Sequence, residues 1–164
     1  MPGLSSKYIN NLMKICILDC KNFSGVMSCD VFLEMIKNGK IKLSPGQEII
    51  LNLSSSNHPG SHWVALYINS NGIGEFFDSF GLSCFDDKIL EALHLQNLNI
   101  INFEKTLQHQ DSNFCGFYCV AYLLCREVGI SRDTFTSFFQ DKQLLKNDDT
   151  CIEIIKNFVR IREI

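Results

Sequence analysis

Apolar residues recur at helical spacing near the start of the chain, at Tyr8, Ile9, Leu12, Met13 and Cys16, and predict a helix over 6–18 with Ser5 or Ser6 as its cap. Asn22-Phe23-Ser24-Gly25-Val26-Met27 reads as a loop. A short helix follows over 28–37, striped by Val31, Phe32, Met35 and Ile36, with Gly39 as its stop. The pattern then changes. Residues 47–53, after the Ser44-Pro45-Gly46 turn, and 62–68 read as strands, and Asn69-Ser70-Asn71-Gly72 turns the chain into a returning strand over 74–80. A helix from Asp86 or Asp87 through Leu93, a strand over 99–104, a helix from Asn113 or Cys115 to Val128, a short helix capped by Ser131 and a last helix from Asp148 or Asp149 complete the chain. Helices, mostly consecutive strands, then helices again predict an α+β fold with a small, mixed, largely antiparallel central sheet flanked by helices. With 164 residues, no repeat and no linker-like stretch, residues 1–164 are expected to form one domain.

Composition narrows the possible functions. The net charge of -3 gives no general basis for nucleic-acid binding, which needs a basic face. No apolar run approaches the roughly 20 residues that span a bilayer, so no membrane association is expected. The first residues lack the charged and apolar regions of a signal peptide. Eight cysteines without a secretory signal predict reduced thiols in an intracellular, reducing compartment. Cys16/Cys20 and Cys115/Cys119 are four apart, but no second ligand pair accompanies either, so no metal and no other cofactor is expected.

The chemistry concentrates in Gln108-His109-Gln110-Asp111-Ser112-Asn113-Phe114-Cys115-Gly116, where a polar loop meets an apolar helix. A thiol at a helix N-terminus sits among backbone N–H groups without intrahelical partners and at the positive end of the dipole, which favours the thiolate. Cys115 is therefore the candidate nucleophile. Cys119, one turn on, is a rival better read as core. A thiolate needs a base and a group to orient that base. The predicted hairpin brings His62 and Asp78 toward one end of the sheet, although Asp78 on its own would also suit a turn. Oxyanion donors would be the Cys115 N–H and the Gln108 side-chain amide, with Gln110 as the alternative to Gln108. Gly116 would leave room for substrate to approach the sulfur. His58 and His109 are expected in solvent.

Ser61-His62-Trp63, Phe77-Asp78-Ser79-Phe80-Gly81 and Gln108-x-x-x-Ser112-x-x-Cys115-Gly116, in that order, resemble the adenain-like cysteine proteases, the family of the adenovirus maturation protease and the ubiquitin-like-protein proteases. The order His, Asp, Gln, Cys is the reverse of papain's. Pro59-Gly60-Ser61-His62-Trp63, Asn113 to Cys119 and Asn147-Asp148-Asp149 look most like proteases of Polinton/Maverick elements and virophages. The resemblance implies the adenain-like fold and a cysteine peptidase with His62 as base, Asp78 as orienting acid, Cys115 as nucleophile and Gln108 as oxyanion donor. It also implies that Trp63 walls a cleft selecting small residues, often glycine. The implied role is capsid or virion-precursor maturation, in the virion and in the cytoplasmic virus factory or nucleus of an infected cell, by a monomer acting on protein substrates. The alternatives are a deconjugase cleaving after Gly-Gly in SUMO- or ubiquitin-like proteins, and an inactive module binding such tails. The adenovirus enzyme is basic and uses DNA and a disulfide-linked peptide; this acidic chain supports neither activator.

Overall fold

The computed structural model describes residues 4–16 and 21–162, with side chains as far as 160. Six helices and five strands fall among these residues, in the order α1 (Ser6–Cys16), β1 (Phe23–Ser28), α2 (Cys29–Lys37), β2 (Glu48–Asn52), β3 (Trp63–Ile68), β4 (Gly74–Phe77), α3 (Asp87–Leu95), β5 (Ile100–Asn102), α4 (Cys115–Glu127), α5 (Arg132–Ser137) and α6 (Leu144–Arg162). The strands form one sheet in sequence order. Its centre, β2–β3–β4, is antiparallel, and the edge strands β1 and β5 are added parallel. The α+β architecture with a mixed, helix-flanked sheet is the one the pattern predicts.

Three features differ from the sequence expectation. The returning strand, expected over 74–80, ends at Phe77 and leaves Asp78 just beyond it. Residues 23–27, expected as a loop, form β1 beside β2 together with Ser28, expected as a helix start. All six are half-buried, so no in–out alternation marks them, and Gly25 at φ +111 interrupts the register between Phe23 and Val26. The last helix begins at Leu144, a turn before the expected cap, and Asn147 and Asp148 therefore lie inside its first turns. Part of the expected first helix, residues 17 and 18, and the Cys16/Cys20 pairing fall outside the described residues.

Each face of the sheet carries its own apolar layer. Ile49, Leu51, Val64, Leu66 and Phe76 pack under α2 and α3, with Phe32, Ile89 and Leu93. Ile50, Ala65 and Phe77 pack on the other face beneath α4, with α1 and α6 outside it. Because both faces are covered, every residue of β2 is buried, and α4 is buried nearly throughout rather than along one stripe. The ring of Phe77 stacks on Tyr122 with centroids 4.3 Å apart, which seats α4 on the sheet. No helix of the described residues is long and apolar enough to cross a membrane.

Candidate active site

The register of the central hairpin builds the first half of the site. Asn52 pairs with Trp63 at the end of β2 and β3, and Ala65 pairs with Phe77 at the end of β4. His62 precedes β3 and Asp78 follows β4, so the two arrive side by side although sixteen residues separate them. His62 Nε2 lies 2.9 Å from Asp78 Oδ1, and the same oxygen accepts the Phe80 N–H at 2.8 Å. The carboxylate thus holds Nε2–H and leaves Nδ1 as the ring nitrogen for a thiol. The Phe80 ring lies against the imidazole at 5.0 Å between centroids. Asp78 is 1% exposed and its Oδ2 has no hydrogen-bond partner.

Helix α4 supplies the sulfur. Cys115 is its first residue, and its sulfur lines the same cleft as His62 and acts on the imidazole's ionisation. Burial pushes the His62 pKa down, but hydrogen bonds and charge from Asp78 and Cys115 outweigh it and raise the imidazole to about 9. At neutral pH the imidazole is therefore held protonated. Cys119 is fully buried, and burial with the adjacent Cys115 charge pushes its thiol far up, which suits packing and not nucleophilic attack. The seven cysteines among the described residues are all free thiols.

Gln108 is oriented from both ends. Its Oε1 accepts from Ser79 Oγ at 2.6 Å, and its Nε2 donates to the Ser112 carbonyl at 2.7 Å. These partners fix which end of the amide is nitrogen, and Nε2 also reaches the Ser112 hydroxyl oxygen at 3.4 Å, a long contact that an oxyanion would displace. The Ser79 carbonyl accepts the N–H groups of Leu107 and Gln108 at 2.9 and 3.0 Å, so the strand end that carries Asp78 also carries Gln108. Gln110, the rival donor, is exposed at the cleft mouth, whereas Gln108 is 1% exposed.

A cleft of about 840 Å³ opens over these groups, walled by Trp63, Met27, Ser54, Ser61 and Gln110. Asn52 Oδ1 accepts the N–H groups of Ser54 and Ser61 at 2.9 and 3.2 Å and so fastens both ends of the loop on one wall. Asp30 holds that loop through the Ser56 N–H at 2.9 Å and its hydroxyl at 2.7 Å. His58 is exposed, as expected, while His109 is only half-exposed and lies 3.6 Å from Asp111.

Trp63 lines the cleft but its indole N–H is committed, donating to the Leu4 carbonyl at 3.0 Å. Gly116 is placed otherwise than expected. It is buried, and a Cβ there would come within 2.8 Å of Ile9 Cδ1 and 3.3 Å of Leu4 Cδ1. Its missing side chain admits the N-terminal segment and α1 against α4, not substrate.

Sequence reasoning missed the supports of the site. Ser79 and Ser112 appeared only as motif letters, and Asp148 as a helix cap. Asp148 Oδ2 accepts from Ser112 Oγ at 2.8 Å, and Asp148 Oδ1 accepts from Tyr118 Oη at 2.9 Å. The neighbouring Asn147, fully buried, donates to the carbonyls of Leu107 and Gln140 at 2.9 and 3.0 Å. Among the described residues, no cluster of three or more His, Cys, Asp or Glu could hold a metal ion.

No family model matches the sequence, and no curated protein matches it. Solved structures do match the fold. The central domain of the uncharacterized Lpg1148 protein from Legionella pneumophila superposes with a TM-score of 0.55 at 14% identity, over 99% of this chain and 100% of that one. The SUMO protease Ulp1, with its catalytic cysteine oxidized to a sulfinic acid, gives 0.56 at 16% identity, over 96% of this chain and 79% of that one. The ASFV pS273R protease gives 0.53 at 18% identity, over 90% and 66% respectively. The chain has the α+β fold of Ulp1-like cysteine proteases.

Proposed function

We propose that this protein is a cysteine endopeptidase. The observation that carries the reading is the convergence of Cys115, at the start of α4, on a His62 already oriented by Asp78, with the Gln108 amide beside them. With the thiol proton already on His62 Nδ1, the Cys115 sulfur attacks the scissile carbonyl carbon as a thiolate. The oxyanion takes hydrogen bonds from the Cys115 N–H and from Gln108 Nε2, whose long 3.4 Å contact to Ser112 Oγ gives way to it. The imidazolium gives its proton to the departing amine as the C–N bond breaks, leaving a thioester on Cys115. His62 then draws a proton from water, which attacks the thioester and releases the acid product.

For the substrate, we favour capsid or virion precursor proteins, cleaved after small residues in a virophage- or Polinton-like maturation step. The motif resemblance around His62, Cys115 and Asp148 supports this. The fold likeness to the SUMO protease Ulp1 supports a second reading, hydrolysis after a Gly-Gly tail. The test is hydrolysis of glycine-containing fluorogenic peptides by the wild type and Cys115→Ala, then of a capsid precursor beside a SUMO conjugate. Loss of turnover in Cys115→Ala with cleavage of the precursor is the expected result. Full turnover by Cys115→Ala would remove the nucleophile assignment, and cleavage of the conjugate alone would replace the first substrate class by the second.

A further inference from the structure

Ser112 is the point through which the oxyanion donor and the nucleophile helix are held together. Its carbonyl accepts from Gln108 Nε2 at 2.7 Å, and its hydroxyl oxygen accepts the Phe114 N–H at 3.2 Å, one residue before Cys115. Phe114 makes no side-chain cap for α4, so Ser112 supplies the side-chain acceptor at this helix start. A serine hydroxyl rotates, and it keeps a lone pair toward Phe114 only if its proton has a fixed destination. That destination is Asp148 Oδ2 on α6, at 2.8 Å.

The carboxylate is required, not merely a polar group. Asp148 receives two O–H donors, Ser112 on one oxygen and Tyr118, from the second turn of α4, on the other. An amide of the same shape would set an N–H₂ against one of those hydroxyls, which would then have to turn. Asn147, the preceding residue, fixes the Leu107 carbonyl, so α6 grips both ends of the segment 107–112 that contains Gln108.

We propose that Asp148 is a positioning residue for the oxyanion hole. It acts through Ser112 to aim the Gln108 amide and the first amides of α4. The proposal rests on the peptidase reading, and two of its consequences separate it from a purely structural role. A thiol alkylator such as iodoacetamide forms no oxyanion and reports only the thiolate. A peptide aldehyde forms a tetrahedral adduct and reports the oxyanion hole as well.

The experiment compares wild type with Asp148→Asn. Expected are a fall in kcat of about tenfold or more, short of the ~10²–10³ that follows deletion of a donor, an equal fall in affinity for a glycine-containing peptide aldehyde, and KM and the iodoacetamide rate within about twofold. The double variant Ser112→Ala/Asp148→Asn should fall short of the sum of the two single effects, because the Ser112–Asp148 contact is common to both. In NMR spectra the two Gln108 side-chain amide protons should be well separated in wild type and collapse toward free-glutamine values in Asp148→Asn. Should Asp148→Asn not fold, Ser112→Ala deletes the same contact from the other side and is read in the same way. Unchanged kcat with unchanged Gln108 resonances would overturn the proposal, as would an iodoacetamide rate falling in step with kcat. If the wild type hydrolyses no peptide, the peptidase reading fails by itself, and the Gln108 resonances still decide the positioning.

Discussion

The two ends of the antiparallel strands beneath α4 each carry a buried β4-side carboxylate, Glu75 and Asp78, in opposite states. At one end, Glu48, Tyr67 and Glu75 lie in register across β2, β3 and β4. Glu75 is closed off: its two oxygens accept from Asn69, Tyr122 and Arg126, the guanidinium bonding at 2.8 and 3.0 Å, and Arg126 also lies over the Tyr67 ring. At the other end, His62 faces the cleft with Asp78 buried behind it, and Asp78 Oδ2 has no hydrogen-bond partner. Between them runs the apolar row Ile50, Ala65 and Phe77. The same helix serves both ends, with Cys115 at its start and Arg126 in its last turn. A charge answered on every side fastens the helix; a charge answered on one side can move a proton.

Substitutions at the two ends should therefore separate activity from stability. The largest expected effect is from Asp78→Asn, which keeps the shape but reverses the hydrogen-bonding sense toward His62. Turnover should fall by ~10³–10⁴ with little change in Tm, and unchanged kinetics would remove Asp78 from the site. The wild type should show an alkaline limb near pH 9, where the raised His62 gives up its proton, and the same variant should lose it. Arg126→Met comes next, at the opposite end. It leaves Glu75 buried without its cation and should cost ~3–5 kcal/mol in denaturant unfolding. Specific activity of the folded fraction should stay level, and a large fall in kcat would show that the two ends are not separable.

Gln108→Ala should cost ~10²–10³ in kcat and little in alkylation rate, since it removes a donor and not the thiolate. The smallest effect, with the opposite sign, is expected of Glu48→Gln. Burial first, and the nearby Glu127 second, raise the Glu48 carboxyl to about 8. Because the folded pKa lies above the unfolded value, the protonated group's contribution is complete at low pH and is lost as pH rises through about 8. Glu48→Gln should match wild type in Tm near pH 4 and exceed it above pH 8, by on the order of 2–3 kcal/mol in unfolding free energy. Equal pH dependence in both proteins would place the ionisation elsewhere.

Elements with strong periodicity and capping chemistry were legible from sequence. The α1 stripe, Asp86 accepting from the N–H groups of Lys88 and Ile89, and the Asn69–Gly72 turn all follow local rules. His62, Asp78, Gln108 and Cys115 could be placed together because one hairpin register and one helix start bring them there. What escaped was held by nonlocal contact. β1 takes its form from pairing with β2, not from any alternation of its own. The start of α6 at Leu144 is fixed by where Asn147 meets residues 107 and 140. Gly116 reads as room for substrate until Ile9, more than a hundred residues earlier, is seen to fill the space.

Gly81 bears on how this site could be altered. Its backbone has φ +74, and a Cβ on it would come within 2.8 Å of the main chain at Lys105 and Thr106. The turn after the acid therefore presses directly on the segment leading to Gln108, while Ser79 grips Gln108 from the other side. Two chemical roles that could be tuned independently on paper share one mechanical foundation. A redesign that moves the acid, such as lengthening it to Glu with a shifted 78–81 turn, would have to re-form the 105–108 segment in the same step.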